Sequence, residues 1–195
     1  MRARLKFKFF VVIISLLFLA VFLPILGSGG LASAQKETAS AYSHKEFIRE
    51  IAPTAQKLSK TYGVRSSVII GQAALDSNFG RTLLASKYHN LFSIKARPGQ
   101  GGVRLKSREY KNGRWHQVTN RYLVYKSWED SLYDYLALLR QDKVWDKALY
   151  TTMTTSSGYK TVARALQAAG FNSDPNYADK LITTIEENNL TNYDR

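Results

Sequence analysis

No cysteine occurs among the 195 residues, which removes disulfide bonds, thiolate nucleophiles and every zinc site built on sulfur. Histidine is almost as scarce: His44, His89 and His116 are the whole supply, scattered without the short spacing of a metal-ligand pair. Neither a metal centre nor a cofactor is expected. Acidic residues are also few, 15 against 28 basic ones, for a formal net charge of +13. Such a surplus implies an anionic surrounding or partner, either nucleic acid or a matrix of anionic polymers, and charge alone does not choose between them. Hydrophobic residues are not lacking. At 45%, with 12% aromatic, they suffice for one packed domain plus a leader in a chain of this length.

The leader is residues 1–34. Arg2, Arg4, Lys6 and Lys8 precede an apolar run from Phe9 to Leu26 that only Ser15 and Pro24 interrupt. Ala32-Ser33-Ala34 follows, a small-x-small pattern that signal peptidases accept. The run is also just long enough to be an uncleaved membrane anchor. Either reading puts the remainder outside the cytoplasm, so nucleic acid is not the expected partner, and a membrane is met only through this segment. Residues 35–42 read as a short linker, and residues 43–192 as one folded domain.

The domain reads as mainly α with a small β lobe. Ser43-His44-Lys45-Glu46 has the form of a capping box, and Phe47, Ile48, Ile51, Ala55, Leu58 and Tyr62 recur at helical spacing. Pro53 is expected to kink or restart that helix, and Gly63 to close it. A second helix, capped by Ser66 or Ser67, runs from Val68 to about Asn78 and is apolar nearly all round, the mark of a buried central helix. Two β-prone runs, Val103–Tyr110 and Trp115–Tyr125, flank Asn112-Gly113, a strong two-residue hairpin signal; Gly99–Gly102 before them reads as a hinge. Further helices are expected from Ser127, from Tyr159 to about Ala169, and from Asp174-Pro175, an N-cap followed by proline at the first helical position.

Asp76 stands out within this plan. It lies near the C-terminal end of the apolar helix, where the helix dipole and burial both disfavour a carboxylate and raise its pKa. A general acid working near neutral pH needs that; capping a neighbouring turn or an ion pair with Arg81 is the structural alternative.

Gln72-Ala73-Ala74-Leu75-Asp76-Ser77-Asn78-Phe79-Gly80, followed by Asn90-Leu91-Phe92-Ser93-Ile94-Lys95, resembles the glucosaminidase domain of bacterial peptidoglycan hydrolases, glycoside hydrolase family seventy-three. The family includes autolysins and the flagellar-rod wall hydrolase. Its pattern is approximately Gln-Ala-Ala-Leu-Glu-Ser-Gly-Trp-Gly and then Asn-Leu-Phe-Gly-Ile-Lys. Glu109-Tyr110, Tyr125-Lys126-Ser127 and Asp174–Leu181 match further motifs in the same order. The resemblance spans roughly residues 44–190.

The resemblance implies a lysozyme-like fold and an endo-acting cut of the β-1,4 bond after N-acetylglucosamine in peptidoglycan strands, with muramidase specificity as an alternative. It aligns the family's catalytic glutamate with Asp76, its second carboxylate with Glu109 and its active-site tyrosine with Tyr177. Such hydrolysis needs one protonated carboxyl at the leaving oxygen and a second group that assists water or stabilises the oxocarbenium-like transition state. Asp76 suits the first role and Glu109, on a basic hairpin, the second, unless the substrate's acetamido group assists instead. Tyr177 either orients water or the N-acetyl group or packs a helix start. Phe79, Asn90, Phe92 and Tyr110 are the expected sugar contacts, with Trp115 and Tyr122 as further candidate rings. Three positions depart from the family: Phe79 for tryptophan, Ser93 for glycine and Asp76 for glutamate. The last shortens the acid by one methylene, and a displacement of ~1 Å can cost on the order of 10²-fold in rate. A catalytically weak wall binder of the same fold is therefore the competing reading.

Overall fold

A computed structural model describes residues 43–141 and 147–194. The expected leader and linker lie outside the described residues. The compact unit is Tyr42–Arg195, and its elements run α1 (His44–Tyr62), α2 (Ser66–Ser77), α3 (Leu83–Tyr88), β1 (Val103–Lys111), β2 (Arg114–Tyr122), α4 (Trp128–Arg140), α5 (Lys147–Thr155), α6 (Tyr159–Ala168) and α7 (Tyr177–Glu187), closed by a 3₁₀ turn at Leu190–Tyr193. The mainly helical plan with one β lobe is as the sequence indicates.

The capping box of α1 forms in full. The Ser43 hydroxyl accepts from the Glu46 amide, and the Glu46 carboxylate accepts from the Ser43 amide at 2.8 Å. Pro53 does not restart the helix, which runs unbroken from His44 to Tyr62. Its apolar stripe, Phe47, Ile51, Ala55 and Leu58, packs into the core around α2.

The central helix α2 is buried from Ser66 through Ala74. Neither expected serine caps it: Arg65 is the N-cap residue and gives no side-chain bond. Asp194 supplies the cap from the far end of the chain, accepting from the Ser67 amide at 2.7 Å and the Ser67 hydroxyl at 2.8 Å. A carboxylate at a helix N-terminus satisfies an orphan N–H and meets the positive end of the dipole. At Gly71 the helix touches α7 so closely that a Cβ would lie 2.8 Å from Ile185 Cγ1 and 3.1 Å from Leu181 Cδ1. That close approach sets α7 against α2, and with it the two ends that carry Asp76 and Tyr177.

The hairpin pairs Val103 with Tyr122 through Lys111 with Arg114 in unbroken antiparallel register. Asn112 and Gly113 take positive φ of 53° and 76°, as a two-residue primed turn requires. The second strand ends at Tyr122, three residues short of the expected Tyr125, whose amide and carbonyl instead bond Tyr88 and His89. Helix α7 starts two residues later than Asp174-Pro175 indicates. Asp174 forms a turn before it, its carboxylate accepting from the Asn176 amide and pairing with Lys180.

Candidate active site

Asp76 stands one residue from the C-terminal end of α2, where the chain must turn sharply out of the core. It does so through Asn78, Phe79 and Gly80, all with positive φ (49°, 53° and 77°). Ser77 braces the turn: its hydroxyl donates to the Ala73 carbonyl at 2.6 Å and accepts from the Gly80 amide at 2.7 Å. A Cβ at Gly80 would stand 2.7 Å from the Trp128 ring, so the position admits glycine on two counts. Backbone in this region costs bulky residues energy and recurs where a fold fixes functional groups.

The turn leaves Asp76 at the floor of a groove of about 300 Å³, shared with Glu109, Phe92, Ser107, Arg108 and Asn172. The space continues past Asp76 in the other direction, about 420 Å³ toward Thr82, Leu84, Leu105 and Lys106. One wall is the hairpin; the opposite one at the first end is the loop Gly170–Ser173 between α6 and α7.

The two carboxyls of this groove are held in opposite states. Tyr177 donates its hydroxyl to Asp76 Oδ2 at 3.2 Å, and Asn172 Nδ2 approaches Oδ1 at 3.5 Å. Although Asp76 keeps a partial opening to the groove, the enclosure of its carboxyl outweighs both donors and pushes its pKa up to about 8. Glu109 is pulled the other way. Lys95 Nζ lies 2.6 Å and Asn120 Nδ2 2.8 Å from its Oε1, which together hold it below the usual carboxylate range, the lysine contributing most. Both donors engage Oε1, so Oε2 is left to accept from water or substrate. At neutral pH one carboxyl of the groove carries a proton and the other a charge, the division of labour that acid–base chemistry needs.

The remaining expected residues fall in different places. Tyr177 is 1% exposed and lies behind Asp76 rather than along the groove, so its reach is to the acid and not to a sugar. Phe92 lines the groove, stacked on Tyr135 with centroids 3.9 Å apart. Phe79 does not line it; its ring is packed between His44, at 3.5 Å in parallel, and the edge of Phe47. Asn90 is buried and holds a loop together, donating to the Ile94 and Leu123 carbonyls and accepting from the Ile94 amide. Tyr110 sits farther along the hairpin, edge-on to Trp115, its backbone amide bonded to the Ser173 hydroxyl. Ser93, where the family carries glycine, takes φ 54° and faces the groove.

Sequence reasoning missed Asn172, Lys95, Asn120 and the pair Gln72–Tyr135, whose side chains bond at 2.9 Å in the core beside Tyr177. Gln72 was findable, since it stands one helical turn before Asp76 on an apolar helix, and a buried amide needs a partner. Asn172 carried no local signal. Among the described residues no group of three or more acidic or histidine side chains converges as a metal site.

Residues 52–190 match the glucosaminidase family, described as mannosyl-glycoprotein endo-beta-N-acetylglucosaminidase. The chain is 32% identical to the exo-glucosaminidase LytG of Bacillus subtilis over 197 residues, covering 98% of this chain and 70% of that protein. It is 33% identical to the peptidoglycan hydrolase FlgJ of Escherichia coli K12, over 73% of this chain but only 46% of FlgJ. Among solved structures, the catalytic domain of the autolysin Auto from Listeria monocytogenes superposes with a TM-score of 0.67 at 34% identity, covering 86% of this chain and 97% of that domain.

Proposed function

The chain belongs to the glucosaminidase family of glycoside hydrolases, and from that premise we propose that it cuts peptidoglycan glycan strands outside the cytoplasm, at the β-1,4 bond after N-acetylglucosamine, with Asp76 as the acid. The observation that carries the reading is the opposed pair in one groove: Asp76 raised to about 8 and Glu109 lowered. Asp76 Oδ2 already accepts from Tyr177, so Oδ1, held only by the long contact to Asn172, presents the proton to the glycosidic oxygen. As that bond breaks, positive charge grows on the sugar ring. Glu109 stays ionised and stabilises it, with Oε2 free to take a proton from the attacking water. Tyr177 acts through Asp76 as a positioning residue. Phe92, at the groove wall, offers an apolar contact to the sugar.

Space on both sides of Asp76 supports an endo cut, because a strand must pass the acid in two directions. Export through residues 1–34 delivers the domain to the wall, where the anionic matrix matches its positive charge. Incubating residues 35–195 with purified wall and reading the new reducing ends and the length of the released strands tests the proposal. N-acetylglucosamine ends on long fragments are expected. Muramic acid ends overturn the bond choice, single sugars or disaccharides overturn the endo mode, and no new ends overturn the hydrolase reading. Asp76→Glu, measured alongside, separates a full from a weakened acid: a gain of ten-fold or more would show that the shorter side chain limits the native enzyme.

A further inference from the structure

The hairpin has a second face, turned away from Glu109. Residues alternate sides along a strand, and directly paired residues share a side. Val103, Leu105, Ser107 and Glu109 are the more covered set on β1, and Arg104, Lys106 and Arg108 the exposed one. The register places Arg104 directly opposite Arg121, Lys106 opposite Thr119, Arg108 opposite Gln117 and Tyr110 opposite Trp115. This face thus carries four cations and no acid. The hairpin's sole carboxylate, Glu109, is on the other face and engaged by Lys95. Among the described residues none of the four cations is ion-paired. Arg121 donates to the Arg97 carbonyl at 3.1 Å, which brings a further basic residue to the row, and Arg108 lies 5.5 Å over the exposed Trp115 ring.

Like charges directly across a ladder destabilise a sheet, and a two-stranded ribbon is marginal to begin with. Yet Arg104 and Arg121 face each other with nothing between them to neutralise either. Arg104, Lys106 and Arg108 recur every second residue, about 7 Å apart in an extended strand. Such a straight, evenly spaced row fits a linear polyanion bearing a phosphate on every repeat better than it fits a single anionic group. Lys106 and Arg108 also border the groove, whereas Arg104 and Arg121 do not, so an occupant centred on that pair is distinct from the strand being cut.

We propose that the outer face of the hairpin, centred on Arg104 and Arg121, binds the phosphodiester-linked polyanion of the wall and holds the enzyme beside its glycan substrate. This rests on the wall assignment above. The test is pelleting of residues 35–195 with a Gram-positive wall before and after hydrofluoric acid has stripped its phosphodiester polymers, for the parent and for Arg104→Gln with Arg121→Gln. The parent is expected to bind untreated wall roughly tenfold more tightly than stripped wall, with a steep salt dependence, and soluble inorganic polyphosphate should compete. The double variant should lose that difference and bind both walls as the parent binds the stripped one. It should also melt no lower than the parent, since a like-charge pair has been removed, and cleave short soluble glycan fragments at the parent's rate. Equal binding of the parent to both walls overturns the proposal, as does parental binding by the variant to untreated wall. A loss by the variant of equal size on both walls overturns it too, because the row would then be reading carboxylates of the peptidoglycan itself. Pelleting does not depend on turnover, so its failure is distinct from failure of the hydrolase reading, which the soluble fragments report.

Discussion

Asp76 is the residue at which burial and chemistry meet, and its cost to the fold is measurable. In the unfolded chain it titrates near the ordinary aspartate value of 3.8; in the folded protein burial pushes it up to about 8. Between these values the native state keeps a proton that the unfolded chain has released, so stability falls as pH rises through the window, by up to about 1.4 kcal/mol per unit. Asp76→Asn removes the titration. Melts from pH 4 to pH 9 should show the variant gaining on the parent, reaching on the order of a few kcal/mol at pH 8–9 and converging near pH 4, while glycan cleavage falls by on the order of 10²–10⁴-fold. Tyr177→Phe deletes a donor to the ionised form of Asp76. The alkaline limb of the rate profile should therefore move to higher pH, with kcat lower and KM little changed; a limb that stays in place would separate Tyr177 from the acid. Asp76 was legible from sequence because helix periodicity and the motif both point to it. Asn172 was not, because it reaches the acid across 96 positions of chain from a loop of ordinary turn residues.

At the scale of elements, the backbone that aims the acid is the strained turn after α2. Gly80→Ala asks for φ +77° with a side chain and for space that the Trp128 ring occupies at 2.7 Å. Destabilisation of at least about 2 kcal/mol is expected in denaturant titration, with activity lost in proportion to unfolding. Ser93 presents the reverse case. It holds φ 54° without the freedom of the family's glycine, and among the described residues no hydrogen bond engages its hydroxyl. Ser93→Gly should be neutral or stabilising by up to about 1 kcal/mol; a loss of stability would show that the hydroxyl has a structural partner. The elements themselves were read unevenly. The hairpin and α1 were legible because Asn-Gly and the capping box are local signals. The six-residue α3 and nine-residue α5 were not, since so short a helix offers barely two turns of periodicity. The restart expected at proline 53 does not occur: packing of the α1 stripe on α2 holds the helix continuous where local propensity alone favours a break.

The folded unit is closed at α2, its second helix, which Asp194 caps. Ser66 and Ser67 read as N-caps because that residue type usually serves itself; here Ser67 becomes a donor to Asp194, 127 residues away. Arg65 adds a charge 3.7 Å from the same carboxylate. This closure ties the final turn to the helix that bears the acid at its opposite end. Asp194→Ala removes two hydrogen bonds and leaves the positive end of the α2 dipole without its counter-charge, at a cost of about 1–3 kcal/mol. Ser67 and its amide are buried enough that water replaces the carboxylate poorly. The Asp76 end should not register the change. Asp76 takes its state from its own enclosure, with Tyr177 and Asn172 opposing it, and the approach of α7 at Gly71 fixes the spacing of the two helices independently of the cap. Asp194→Ala is thus expected to lower the melting temperature by several degrees while leaving kcat/KM and the alkaline limb unchanged at temperatures where the protein stays folded. A shifted alkaline limb in that variant would mean that α2 moves as a rigid rod, and that the chain's last residues help set the protonation of its acid.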